Sequence, residues 1–127
     1  MTKSSVFMPS DHKVSFSPGA EGASTFEMPP VDGDNSDVTI TNDGAGPVWL
    51  GFGDMMPTIG SGDAMIKPGT TVLFTSSQAV LDASVTNPMV VHTGNQMAEA
   101  EHVHAITTMR GGKVHIIRGS ATAGTNF

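Results

Sequence analysis

No stretch of this chain sustains the apolar spacing of a helix. Its apolar runs are short, most alternate with polar residues, and they stop at glycine or proline. Val38-Thr-Ile-Thr-Asn42 alternates, Asp43-Gly-Ala-Gly-Pro47 turns, and Val48-Trp-Leu-Gly-Phe52 alternates again. A side-chain period of two belongs to half-buried strands. The spacing predicts a hairpin with Val38, Ile40, Val48, Leu50 and Phe52 inward and Trp49 on the opposite face. Gly51, inside the second strand, marks a bulge or a close backbone approach. After a loop over residues 53–63, Ala64-Met-Ile-Lys67 leads into Thr71-Val-Leu-Phe-Thr75. The link Lys67-Pro-Gly-Thr70 has the make-up of a type II turn, with proline at the first central position and glycine taking positive φ at the second. Residues 79–86 fit either a strand or one helical turn, residues 89–93 a short strand, and residues 94–101 a loop or short helix.

In the last third, two β-branched and apolar runs flank Gly111-Gly112. A two-residue glycine loop suits a tight hairpin, which would set Met109 opposite Val114 and Ile106 opposite Ile117. One face then carries Val103, Ala105, Met109, Val114 and Ile116, the core face. The other carries His102, His104, Ile106, His115 and Ile117, a polar face with an apolar centre that suits a subunit contact.

With 15 Gly, 8 Pro and only 14% charged residues, the strand and turn signals imply an all-β fold. About seven or eight antiparallel strands at this spacing make a β-sandwich or jelly roll. A chain of 127 residues is enough for one core. The boundary falls at the Pro29-Pro30 and Asp32-Gly-Asp-Asn-Ser36 stretches, giving an extended N-terminal arm over residues 1–36 and a body over residues 37–127. The arm is rich in Ser, Gly, Pro and acids. It is expected either to hug the surface loosely or to pair with a neighbouring subunit, since Phe16, Phe26 and Met28 have little reason to stay in water.

The formal charge of −6, from 6 Lys+Arg against 12 Asp+Glu, argues against binding to nucleic acid or anionic lipid. The chain has no cysteine, so neither disulfides nor thiolate metal sites are available. It shows neither a signal-peptide core nor an apolar run of spanning length, so a soluble cytoplasmic product with no membrane partner is expected. Nine methionines offer adaptable packing in a small core or an interface.

The histidines are the residues with most chemical promise. His102 and His104, two apart on a strand, face one side and resemble the H-x-H of the first cupin motif. The other cupin ligands are missing: no acid lies in Ala105-Ile-Thr-Thr-Met-Arg110, and the Pro68-Gly69 turn lies upstream rather than downstream. A catalytic metal site wants three protein ligands, and His115 is too far along the predicted hairpin to be the third. No serine sits in a nucleophile elbow. Gly51-Phe-Gly53 and Gly60-Ser-Gly62 open no helix that would cradle a phosphate. Asp32, Asp34, Asp37 and Asp43 cluster near a turn, as calcium ligands or as a solvated acidic turn, without the spacing of an EF-hand. The expectation is a protein that is not an enzyme and has no catalytic residue, metal or cofactor.

Four pieces together, Val38-Thr-Ile-Thr-Asn-Asp-Gly44, Val48-Trp-Leu-Gly-Phe-Gly53, Lys67-Pro-Gly-Thr-Thr-Val-Leu-Phe-Thr75 and the stretch from His104 through Gly112-Lys-Val-His-Ile-Ile-Arg-Gly119, span about the last two thirds of the chain. In this pattern of strands and turns the chain resembles small structural proteins of tailed bacteriophages, above all capsid decoration (cement) proteins. The resemblance implies a sandwich or jelly-roll virion protein, made in the host bacterial cytoplasm, that sits on the outer capsid and braces the major capsid protein. It also implies self-association as a dimer or trimer. The candidate interface residues are Phe16, Phe26, Met28, Trp49, Ile106, Ile117, His102 and His104. A head–tail connector or a tail or fibre component is the alternative, followed by a cupin-like metal-binding protein and a carbohydrate-binding module.

Overall fold

The computed structural model describes residues 3–33, 35–75, 90–93 and 96–125. Among these the chain is all-β, with nine strands: β1 (Lys3–Phe16), β2 (Ser24–Glu27), β3 (Asp37–Asp43), β4 (Val48–Phe52), β5 (Ala64–Ile66), β6 (Thr71–Thr75), β7 (Val90–Thr93), β8 (His102–Thr107) and β9 (Lys113–Thr125). One turn of 3-10 helix, Gln96–Glu99, precedes β8. Residues 79–86, ambiguous in sequence, lie outside the described residues. The strands form a five-stranded sheet in the order β1-β9-β3-β6-β7 and a four-stranded sheet in the order β2-β8-β4-β5. All neighbours are antiparallel except β6 and β7, which run parallel.

The two sheets face each other, sandwich-like, across a single core. The larger sheet contributes Val38, Ile40, Val72, Phe74, Val114 and Ile116; the smaller contributes Val48, Leu50, Phe52, Ile66, Val103 and Ala105. Phe52 of one sheet meets Phe74 of the other with ring centroids 5.4 Å apart. Burying one such side chain is worth about 1.5–3 kcal/mol, against about 1 kcal/mol net for a ladder hydrogen bond. Interlayer packing therefore decides which residues turn inward, and the alternation in sequence reports it directly.

The alternation does not report which strand lies beside which. The expected β3–β4 and β8–β9 hairpins do not form: in each pair the first strand belongs to one sheet and the second to the other. The connections are arches over the core edge. Sheets pack about 10 Å apart, a gap that two residues span only when fully extended, with no slack to turn the chain, whereas four or five cross it with slack to turn. Strand β8 ends at Thr107 and β9 begins at Lys113, so the link is residues 108–112 rather than Gly111-Gly112 alone. Val103 and Ala105 still face inward with Val114 and Ile116, but across the core instead of side by side. Met109, placed on the core face by the hairpin reading, lies in the arch and is exposed. Ile106 and Ile117 end up on the outer faces of different sheets and cannot share a contact surface.

The link from β5 to β6 also passes between sheets. Gly69 takes a positive φ of 73°, as the type II reading of Lys67-Pro-Gly-Thr70 requires. Asn42, almost fully buried, ties this arch to the β3–β4 arch. Its Nδ2 donates to the carbonyls of Gly46 and Ile66 at 2.9 Å each, and its Oδ1 accepts from the Gly44 amide at 3.0 Å. Its main chain donates to Thr70 and accepts from Gly69.

The stretch read as an arm takes a different form. Strand β1 runs along β9, and β2 along β8, so residues on both sides of the expected 36/37 boundary build both sheets. Phe16 stacks on Phe26, centroids 3.9 Å apart and rings 11° from parallel, which pins the edge of one sheet to the edge of the other. Phe16 and Met28 are buried in the core and Phe26 packs against it. These apolar residues find their burial within their own chain, Phe16 and Met28 fully and Phe26 in part. Removal of residues 1–33 is expected to expose the core and give an aggregating or unfolded product by circular dichroism. Asn42→Ala leaves two carbonyls and an amide without their side-chain partner, and is expected to lower the free energy of unfolding by about 2–3 kcal/mol in a urea titration.

Candidate functional site

Two surfaces collect the side chains with most to offer a partner. The first is the outer face of the four-stranded sheet. Alternation along β4, β5 and β8 sends Trp49, Met65, His102, His104 and Ile106 outward, and the register sets Trp49 between Met65 and Ile106. The loop from β4 to β5 folds back over this face. A Cβ on Gly51 would sit 2.1 Å from the Met55 carbonyl oxygen, so of the bulge and the close backbone approach expected there, the structure shows the close approach, which only glycine permits. The loop is held by Asp63, whose Oδ2 accepts from the Phe52 amide at 2.9 Å and whose own amide donates to the Leu50 carbonyl. This anchoring leaves Met55, Met56 and Ile59 about half exposed, together with Met65 on the edge strand. Trp49 is half-buried, and Ile106 is buried beneath the segment around Gly19, whose carbonyl accepts from the Thr107 amide.

His104 is part of this scaffold. Its ring is buried, Nε2 lies 2.6 Å from the Gly53 carbonyl and Nδ1 lies 2.7 Å from Thr25 Oγ1. A carbonyl only accepts, so Nε2 carries the proton, and in the neutral ring the Thr25 hydroxyl donates to Nδ1. With both nitrogens engaged, His104 joins β2, β8 and the β4–β5 loop rather than offering a lone pair. His102 is exposed in the register position opposite Glu27. His115 belongs to the other sheet, with Nδ1 2.7 Å from Ser15 Oγ and Nε2 3.6 Å from Asp43 Oδ2. The carboxylates considered for calcium do not converge. Asp37 and Asp43 sit at opposite ends of β3, Asp32 lies 3.4 Å from His12, and Asp34 is outside the described residues. Among the described residues no three His, Asp or Glu side chains are placed to hold a metal ion.

The second surface is a groove of about 380 Å³ at one end of the sandwich, walled by Met28, Pro29, Ala100 and Arg118 and rimmed by Glu27, Glu99 and Glu101. Its floor is the residue that the sequence reading missed. Arg118 is fully buried. Its Nε and Nη2 donate to the Pro29 carbonyl at 3.0 and 2.6 Å, and Nη1 donates to the carbonyls of Ser36, at 3.1 Å, and Ala98. Burial pushes its pKa below the usual arginine value, while the negative charges of Asp37 and Glu99 act in the opposite direction. The guanidinium remains charged, because arginine does not lose its proton in proteins. Four of its five N–H donors thus bind main chain of this protein, which makes it a structural clasp rather than an anion receptor. A signal was present in sequence: Arg118 continues the inward series Val114, Ile116 at a spacing of two, where a charge must find internal partners.

The chain matches no protein-family model, no curated protein and no solved structure.

Arg118→Met removes the charge and leaves three carbonyls without their donor. It is expected to cost about 3–5 kcal/mol of unfolding free energy, and Arg118→Lys, with a point charge in place of the planar fork, an intermediate amount. Urea denaturation of the three proteins checks the order.

Proposed function

We propose that this chain is a non-enzymatic virion structural protein of a tailed bacteriophage, a decoration (cement) protein that binds the outer surface of the major capsid protein shell and stabilises it. The reading rests on the resemblance of its strand and turn segments to such proteins. The observation that carries it is the apolar edge of the four-stranded sheet. Met55, Met56, Ile59 and Met65 stand about half in water on a loop and edge strand held firmly by Gly51, Asp63 and His104. Unbranched methionine side chains adapt to a partner's contour, while the scaffold beneath keeps the ordering cost of docking low.

A stable contact needs roughly 800 Å² per side, about an eighth of the 6753 Å² this chain exposes. The methionine edge supplies the apolar centre of such a patch. A shell repeats the same site many times, so modest affinity per copy is enough to cover and brace it.

Quantitative mass spectrometry of purified particles is expected to find on the order of one copy of this chain per major capsid subunit, a shell-wide stoichiometry that multivalent bracing requires. Met56→Ser combined with Ile59→Ser is expected to reduce capsid occupancy while leaving the melting temperature of the free protein unchanged. Absence of the chain from particles would overturn the reading, and a few copies per particle would move it to the neck or tail.

A further inference from the structure

Strand β9 is longer than the sheet it joins. Lys113–Gly119 lies between β1 and β3, whereas residues 120–125 pair with residues 3–8 of β1 on one side and, among the described residues, with no strand on the other. The cause is Arg118. Its guanidinium draws the carbonyls of Pro29 and Ser36 inward, so β3 begins only at Asp37, opposite Gly119. The residues that would have continued β3 beside 120–125 instead close a turn, with Asp32 and Asn35 bonded to each other.

The alternation along β9 identifies which groups face the open edge. Ser10 Oγ, in the irregular stretch of β1 between Pro9 and Lys13, donates to the Arg118 carbonyl at 2.9 Å. The main-chain groups of Arg118 therefore point toward β1, as do those of Ser120, Thr122 and Gly124. Those of Gly119, Ala121, Ala123 and Thr125 point the other way. Gly119 meets Asp37 of β3 in the register; the remaining three meet no described strand.

A two-stranded ribbon is marginal in water, and an open edge is a template for another strand. The other sheet edges are blunted. Strand β1 carries Pro9, Asp11, Lys13 and a register shift, while β2, β5 and β7 are three or four residues long. Gly119-Ser-Ala-Thr-Ala-Gly-Thr125 has no charge, no proline and no bulky side chain.

We infer that residues 120–125 form a self-association edge, along which β9 of a second copy pairs antiparallel about a two-fold axis to give a continuous β1-β9-β9-β1 ribbon. The charge distribution selects a second copy. Two chains of net charge −6 repel, and this neutral stretch lets their backbones approach without setting carboxylates against each other. Main-chain pairing needs a partner with an open strand edge, and a second copy brings one of the same length and the same neutrality. Two-fold pairing also satisfies both open edges at once. The inference does not depend on the virion reading.

Sedimentation velocity of the full chain from micromolar to near-millimolar concentration tests it. The weight-average mass is expected to rise from one chain toward two. Amides of Ala121, Ala123 and Thr125 are expected to gain protection from hydrogen exchange in the concentrated sample. Ala123→Pro deletes an open-edge donor on each copy without touching the ladder to β1, and is expected to weaken association about tenfold or more. Ala121→Glu, which keeps every donor, should weaken it by adding to the like-charge repulsion between two acidic chains, an effect that added salt relieves. A single-chain mass at all concentrations for the unaltered protein overturns the inference, as does association of both variants at the unaltered strength. Loss of capsid binding by Ala123→Pro with no self-association in the unaltered chain would assign the edge to a capsid strand and equally overturn it.

Discussion

A single cation buried between two sheets sets much of this architecture. Placing the Arg118 guanidinium out of water is tolerable only because main-chain carbonyls from three separate segments, Pro29, Ser36 and Ala98, converge on it while Asp37 and Glu99 supply negative charge nearby. The segments that satisfy the charge are fixed by it in turn. The stretch after β2, the entry into β3 and the 3-10 turn before β8 are otherwise irregular and would have no shared reason to meet. The clasp also shapes the sheet edge, because drawing Ser36 inward ends β3 where β9 still continues.

Asn42 plays the corresponding part at the level of the arches. Crossing from sheet to sheet at every β3–β4, β5–β6 and β8–β9 connection puts turns with unpaired main chain at the rim of the core. One amide side chain bonds the Gly46 and Ile66 carbonyls and the Gly44 amide, so two arches share a polar pin. Arg118 and Asn42 thus use side-chain donors to satisfy backbone that the sheets cannot, which frees the interior between them to be apolar.

The surface divides according to the same logic. Where the interior bonds hold a loop down, as Gly51, Asp63 and His104 do for the β4–β5 loop, apolar side chains are displayed on a firm base. Where an interior bond draws chain away, as at Ser36, main-chain groups are displayed instead. The first kind of surface suits docking on another protein, and the second suits strand pairing. His104 illustrates how burial changes a residue's meaning: two apart from His102 it resembles half of a metal site, yet its two ring nitrogens are committed to Gly53 and Thr25.

The sequence by itself determined the all-β class, the inward residues of β3, β4, β8 and β9, and the type II turn at Gly69, and it narrowed Gly51 to a bulge or a close approach. All of these depend on one residue's conformation or on a period of two, which is local. Only the tertiary structure decided that β3 with β4, and β8 with β9, arch between sheets instead of pairing, and that Ile106 and Ile117 face away from each other. A hairpin and an arch bury the same alternate residues, so the pattern cannot distinguish them; the choice depends on neighbours far away in the chain. The same holds for Phe16, Phe26 and Met28, whose need for burial was legible but whose partners were not. At Arg118 the spacing of two carried a warning, since it sets a charge in the inward series Val114, Ile116, as it sets an amide at Asn42 after Val38 and Ile40. Which carbonyls would meet the guanidinium could emerge only when three distant segments were brought to one place.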